Sequence, residues 1–244
     1  MAISKYFTVT VKPTITASLQ AGGTVASGDI LYDWTSFDMP KGAANLVGVT
    51  ALVRGTNGAR QEAGIDLYFA KDVGGIAPGS LGTLSATADG SKYQNHLIGA
   101  AHIDVNDYKD SLDIMAVAST GHGAQANQIP AMVLEGAEQG TNVGYDRIYL
   151  AAVAKGGLDF RSTVICDGIQ ATSQAVLTVK TTSALTNFAA GDVLHDEDDR
   201  LIGTVSTVNS ATEMTMTANL SNATVDDKDL YNINPVTFIL SFER

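Results

Sequence analysis

The sequence predicts an all-β protein, a jelly-roll-like β-sandwich carrying a small inserted β-barrel or meander module, and three observations predict it. Composition is the first: 24 glycines and only 17% charged residues make a poor basis for amphipathic helices, which draw on Glu, Lys, Arg and Leu. The second is alternation of apolar and polar residues with period two, the repeat of a half-buried strand. The third is turn chemistry, Gly, Asn and Asp, between short β-prone runs.

Taken in order, Phe7, Val9 and Val11 alternate with Thr8, Thr10 and Lys12, which predicts a strand that Pro13 ends or places at an edge. Leu46 to Val53 (LVGVTALV) is apolar on both faces and suits a central strand. Thr56, Asn57 and Gly58 then supply a tight turn, and Ile65, Leu67 and Phe69 resume the alternation, so the two runs read as a hairpin. Further strands are expected at Leu97 to Val105, Asp113 to Ala118, Arg147 to Ala154 and Asp159 to Cys166. Asp72 to Ser91 and Ser119 to Gly144, rich in Gly, Ala and Ser, read as long loops and candidate assembly contacts.

Near Ala171 the sequence changes to short Thr-rich runs: Ala175 to Thr181, Gly191 to His195, Leu201 to Val208 and Glu213 to Ala218. They predict a meander. The final run, Pro235 to Glu243, places Val236, Phe238, Leu240 and Phe242 on one face. That aromatic face matches the N-terminal strands better than the Thr-rich ones. The expected organisation is therefore a sandwich body of residues 1–170 plus 233–244, with residues 171–232 inserted as a small β module.

Bulk properties restrict function. A formal net charge of −11, with 15 Lys and Arg scattered singly, argues against nucleic-acid binding and against anionic membranes. Cys166 is the only cysteine, so no intrachain disulfide can form, and a buried thiol is expected. No secretory layout opens the sequence and no run reaches the roughly 18 apolar residues of a membrane helix. Synthesis in a cytoplasm is expected.

Catalytic signatures are missing: no G-x-S-x-G elbow, P-loop, H-E-x-x-H helix or paired C-x-x-C occurs. Gly121, Gly123 and Ala126 match part of a dinucleotide fingerprint, but Pro130 follows where a helix should run. His96 and His102 share a strand face at a spacing too long for a simple chelating pair. The best metal candidates are Asp196, Asp198 and Asp199 in the run His195 to Asp199. They are hard oxygen ligands in principle, yet Leu201 stands where a calcium loop needs Gly and Thr207 where it needs Glu. A solvated acidic turn is the expected reading, with a second acidic group, Asp226, Asp227 and Asp229, relevant only if folding brings it near. No catalytic residue, no cofactor and no enzymatic activity are expected.

Residues 30–71, ILYDWTSFDMPKGAANLVGVTALVRGTNGARQEAGIDLYFAK, resemble a stretch of structural proteins of tailed bacteriophages, particularly those of marine bacteria. Residues 187–220 are similar to small β modules of phage particle proteins, the likeness being carried by Gly191, Asp192, Ile202, Gly203, Thr204 and Val205. The resemblance implies a virion structural protein made in the host cytoplasm, most simply a capsid decoration or cement subunit. Its expected partners are other virion proteins, the major capsid protein first, and further copies of itself, with a trimer favoured. The alternative is a tail, neck or receptor- and carbohydrate-binding β module. For that reading Trp34, Tyr32, Tyr93, Tyr108 and Tyr145 are the aromatic candidates, although Trp34 is expected to anchor the core.

Overall fold

The structure, a computed structural model, describes residues 5–88, 90–109, 112–121, 132–138, 144–180 and 184–244. In chain order its elements begin with β1 (Tyr6–Val11), the short helix α1 (Ala17–Ala21), β2 (Thr24–Val25), β3 (Ile30–Pro40), β4 (Ala44–Val53) and β5 (Ile65–Ala70). There follow β6 (Leu97–Ile103), β7 (Tyr108–Lys109), β8 (Ala116–Gly121), β9 (Met132–Leu134), β10 (Ala137–Glu138), β11 (Tyr145–Ala154) and β12 (Leu158–Asp159). The remainder comprises β13 (Val176–Thr178), α2 (Ala184–Asn187), β14 (Val193–Asp196), β15 (Leu201–Ser210), β16 (Glu213–Met216), β17 (Leu230–Asn232) and β18 (Val236–Glu243). The protein is all-β, and its pairings between named strands are antiparallel.

Two sheets build the sandwich. One has the order β1-β18-β4-β8-β7 with β9 also on β4; the other has β10-β11-β5-β6 with β3 also on β11. Between them lies one cluster that includes Tyr32, Phe37, Phe69, Phe160, Phe238 and Phe242. Burial of this cluster, aliphatic side chains and rings together, supplies the main cohesive term, at about 25 cal/mol per Å² of apolar surface. Strand β18 is laid between β1 and β4, in register from Tyr6 opposite Glu243 and from Val236 opposite Val53. Its residues Val236, Phe238, Leu240 and Phe242 are buried in alternation with partly exposed Thr237, Ile239, Ser241 and Glu243.

A separate sheet, β13-β16-β15-β14-β17, carries a second cluster with Leu177, Phe188, Leu194, Ile202, Met214 and Leu230. Val164 and Cys166, upstream of Ala171, also belong to it. Consecutive hairpins join β14, β15 and β16, and β13 and β17 flank them.

Several sequence expectations are corrected. β4 and β5 are not a hairpin. β4 is already flanked by β18 and β8, so no edge is left and the chain crosses at Thr56 to Gly58 into the opposite sheet. The stretch Ser119 to Gly144 is not all loop: β8 runs to Gly121, and β9 and β10 fall inside it, with Leu134 fully buried. Residues 122–131 and 139–143, and with them Gly123, Ala126 and Pro130 of the fingerprint match, lie outside the described residues. Asp159 to Cys166 is not a continuous strand. Only Leu158–Asp159 forms β12, and Ile165 and Cys166 make isolated bridges to Asp229 and Val179. An unexpected strand, β3, pairs along most of its length with β11.

Candidate functional site

The acidic turn follows β14. Asp196 is almost wholly buried, and its side chain accepts hydrogen bonds from the backbone N–H of Asp198 (3.2 Å) and Arg200 (3.0 Å) and from Arg200 Nε (2.8 Å). Its carboxylate thus closes its own turn, and Asp199 takes a left-handed backbone, φ 62°, which Asp tolerates better than most residues. Lys228 pairs with Glu197 and lies 3.3 Å from Asp198. Folding does bring the two acidic groups together, since the Glu197 amide donates to the Asp229 carbonyl at 3.1 Å. A lysine stands among them. Asp226 and Asp227 both pair with Lys180.

Asp199 reaches across to α1. The Ser18 amide donates to it at 3.0 Å, and the Ser18 hydroxyl donates to its second oxygen. Thr16, the residue preceding α1, makes no side-chain cap. Asp199 therefore performs from another sheet the task of an N-cap, accepting orphan N–H groups at a helix start. Burial raises its carboxyl, but the bonds from Ser18 and Ala17 outweigh that and hold it below the usual range. Asp196, Asp198 and Asp199 are thus engaged in turn closure, an ion pair and a latch. Among the described residues no group of three or more His, Cys, Asp or Glu side chains is placed to hold a metal ion.

The same seam carries other polar bonds. Arg54 Nη2 contacts both carboxylate oxygens of Asp192, and the Ala189 amide donates to Asp192 at 2.8 Å. Gln20, fully buried, donates to the carbonyls of Ile15 (2.7 Å) and Asn232 (2.9 Å). Cys166 is buried in the second cluster, where desolvation, and after it the charge of Asp196, pushes the thiol up to about 12. Beside the seam an open groove of about 720 Å³ is lined in part by Asn57, Gln61, Arg161, Glu197 and Asp229. Burial, and then the nearby Glu197, raises Asp229 above the usual carboxylate range.

A second concavity lies on the face of β5 opposite its buried residues. Ile65, Leu67 and Phe69 point into the core, so Asp66 and Tyr68 point outward. Across from them on β11, Ala151 stands opposite Tyr68 and Val153 opposite Asp66. A register shift between Leu150 and Ala152 leaves Asp33 and Trp34 of β3 without Cα partners beside Ala151. The chain after β5 is a long loop, as expected, and its described residues fold back over this face. Asp33 accepts from the Leu81 amide (2.7 Å) and the Ser80 hydroxyl (2.5 Å), Ile30 and Ala86 share a backbone bond of 2.8 Å, and the Tyr93 hydroxyl donates to the Ser80 carbonyl.

The outcome is a pocket of about 290 Å³, with Trp34, Tyr68, Tyr93 and Leu81 on its walls and Asp66 and Lys155 among its polar groups. Trp34 belongs to neither hydrophobic cluster. Tyr32 takes the inward position, its ring 5.7 Å from that of Phe238, while Trp34 meets Tyr93 edge-on at 5.6 Å. The expectation of a core tryptophan is corrected accordingly. Asp66 Oδ1 lies 2.7 Å from His102 Nδ1, and Lys155 Nζ is 3.7 Å from Asp66 Oδ2. His96 Nδ1 lies 3.0 Å from the Lys71 carbonyl. Of the other tyrosines considered, Tyr32 and Tyr108 are buried and Tyr145 is exposed. Asp66, Tyr68 and Lys155 were not legible as site residues; the outward alternation of Asp66 and Tyr68 was the one available signal.

No family model matches the chain, and no curated protein matches it. Among solved structures, a VP2 protein of infectious bursal disease virus in derived T=1 particles is 10% identical with a TM-score of 0.16. A structure of the Gt strain of that virus is 11% identical with a TM-score of 0.12. Each match covers 98% of this chain and 40% of the other. The chain thus spans well under half the length of these proteins, and a likeness at these scores carries no argument.

Proposed function

We propose that this protein is a non-enzymatic structural subunit of a tailed-bacteriophage particle, a capsid decoration or cement protein that works through contacts between subunits. The resemblance of residues 30–71 and 187–220 supplies the class of particle. The observation that carries the mode of action is the edge strand β1. Among the described residues it ends its sheet, pairing with β18 alone, and the outer side of such an edge strand is where a further strand can add. Phe7 and Val9 pack on the core but stay partly uncovered, and Tyr6 is 58% exposed. A strand from another copy would extend the ladder and cover these side chains together.

Sedimentation of the purified chain tests this reading, with a trimer expected. Thr8→Lys with Thr10→Lys, at exposed positions of β1, should yield monomers that remain folded, because edge lysines oppose strand pairing. A chain that is monomeric at all concentrations and missing from purified particles sinks the proposal.

A further inference from the structure

We infer that the pocket bounded by Trp34, Tyr68, Asp66 and Lys155 is a binding site for one neutral sugar ring, a hexopyranose, either free or at the end of a glycan. This goes beyond the structural role and does not depend on it. Size is the first argument. At about 290 Å³ the pocket sits at the lower end of ligand sites, which begin at about 300 Å³, so it suits one small ring and not an extended cofactor.

Wall chemistry is the second argument. Trp34 and Tyr68 are partly exposed aromatics, and Tyr93, only 2% exposed, packs against the indole and fixes its plane. The negative face of an aromatic ring attracts the weakly positive C–H groups on the flat side of a pyranose. A cation would also suit those faces, but the Lys155 ammonium repels it. An anion would suit Lys155, but the Asp66 carboxylate 3.7 Å from it repels that in turn. What satisfies both is a neutral group that donates to Asp66 and accepts from Lys155, which adjacent hydroxyls do. The contact from His102 and the register of Asp66 opposite Val153 hold the carboxylate in place before any ligand arrives.

Rigid framing is the third. The pocket's strand floor comes from β5 and β11, and its cover is tied to β3 by the Asp33 and Ile30 bonds and within itself by the bond from Tyr93 to Ser80, which reduces the ordering that binding would cost. Trp34 is the sole tryptophan. Its fluorescence therefore reports this site and no other.

The test is a fluorescence titration of the full chain with glucose, galactose, mannose and N-acetylglucosamine, and with disaccharides ending in each. A saturable change at a Kd on the order of millimolar is expected for at least one sugar. Disaccharides that bind as well as monosaccharides identify a glycan end, and binding confined to monosaccharides identifies a free sugar. Asp66→Asn should weaken that binding at least tenfold, and Tyr68→Ala, at the same face, should do so independently if the first variant is poorly folded by circular dichroism. The inference is overturned by no saturable change at about 100 mM of any sugar. It is equally overturned if both folded variants bind like the wild type, or if adenosine or indole binds where no sugar does.

Discussion

The two hydrophobic clusters of this protein are built differently. The sandwich closes two sheets over aromatic rings, whereas the cluster under the β13–β17 sheet is made mainly of Leu, Val and Met, with Phe188 and the buried Cys166. Between them run polar, directional bonds: Arg54 with Asp192, Ser18 with Asp199, and Gln20 with the Ile15 and Asn232 carbonyls. Apolar area holds each cluster together but is indifferent to direction. A few placed bonds orient one sheet on the other while contributing less to cohesion.

The largest effect expected is loss of β18. Removing residues 236–244 takes four buried side chains and, among the described residues, the only strand partner of β1, and no cooperative unfolding transition should remain in urea. Phe238→Ala, at a fully buried position, should cost about 3–5 kcal/mol. Met214→Ala, also fully buried, should cost about 2–5 kcal/mol. Thiol labelling of Cys166 distinguishes the two: at matched stability Met214→Ala should accelerate it more than Phe238→Ala does. Equal rates would mean that the clusters open as one unit and would break the contrast.

Next comes the seam. Arg54→Met takes from Asp192, whose side chain is 12% exposed, its paired cation and leaves only the more diffuse charge of Lys12, so it should cost about 3 kcal/mol in denaturant melts. Ser18→Ala removes the hydroxyl bonds to Asp199 and Thr16 at an exposed position and should cost about 1 kcal/mol or less.

The smallest effects are pH effects of opposite sign. Asp199 is held low in the folded state, so its contribution is present above the unfolded carboxylate range and is lost as pH falls through the folded value. Asp229 is held high, so stability falls as pH rises from the unfolded value through the folded one. At neutral pH Asp199→Asn should therefore lower the melting temperature and Asp229→Asn raise it slightly. Shifts of the same sign would refute the assignment.

Much of the sandwich was legible because period two survives where one face is buried, as in Phe7–Val11, Ile65–Phe69 and Val236–Phe242. β3 was not legible: Ile30, Leu31 and Tyr32 are buried in succession, and the register shifts against β11 remove the alternation. The pocket was hidden for another reason. Asp66 and Tyr68 read as a solvent face, and nothing local announces that the chain after Ala70 returns over them. Latches such as Ser18 with Asp199 depend on residues 181 positions apart, beyond the reach of any periodicity. The meander was readable because its hairpins are local.

The placement of β18 also governs the order in which the protein can form. Tyr6 and Glu243 stand side by side across a gap of 237 residues, and β4 lacks one of its two long neighbours until β18 has been synthesised. Until then two strand edges and the floor of the aromatic core lie open, a template for pairing with other unfinished chains. Closure over so long a sequence separation is slow. A nascent chain stalled before Val236 should accordingly be a target for chaperones and proteases, and premature termination within the last strand should be more damaging in a crowded cell than its share of the length suggests.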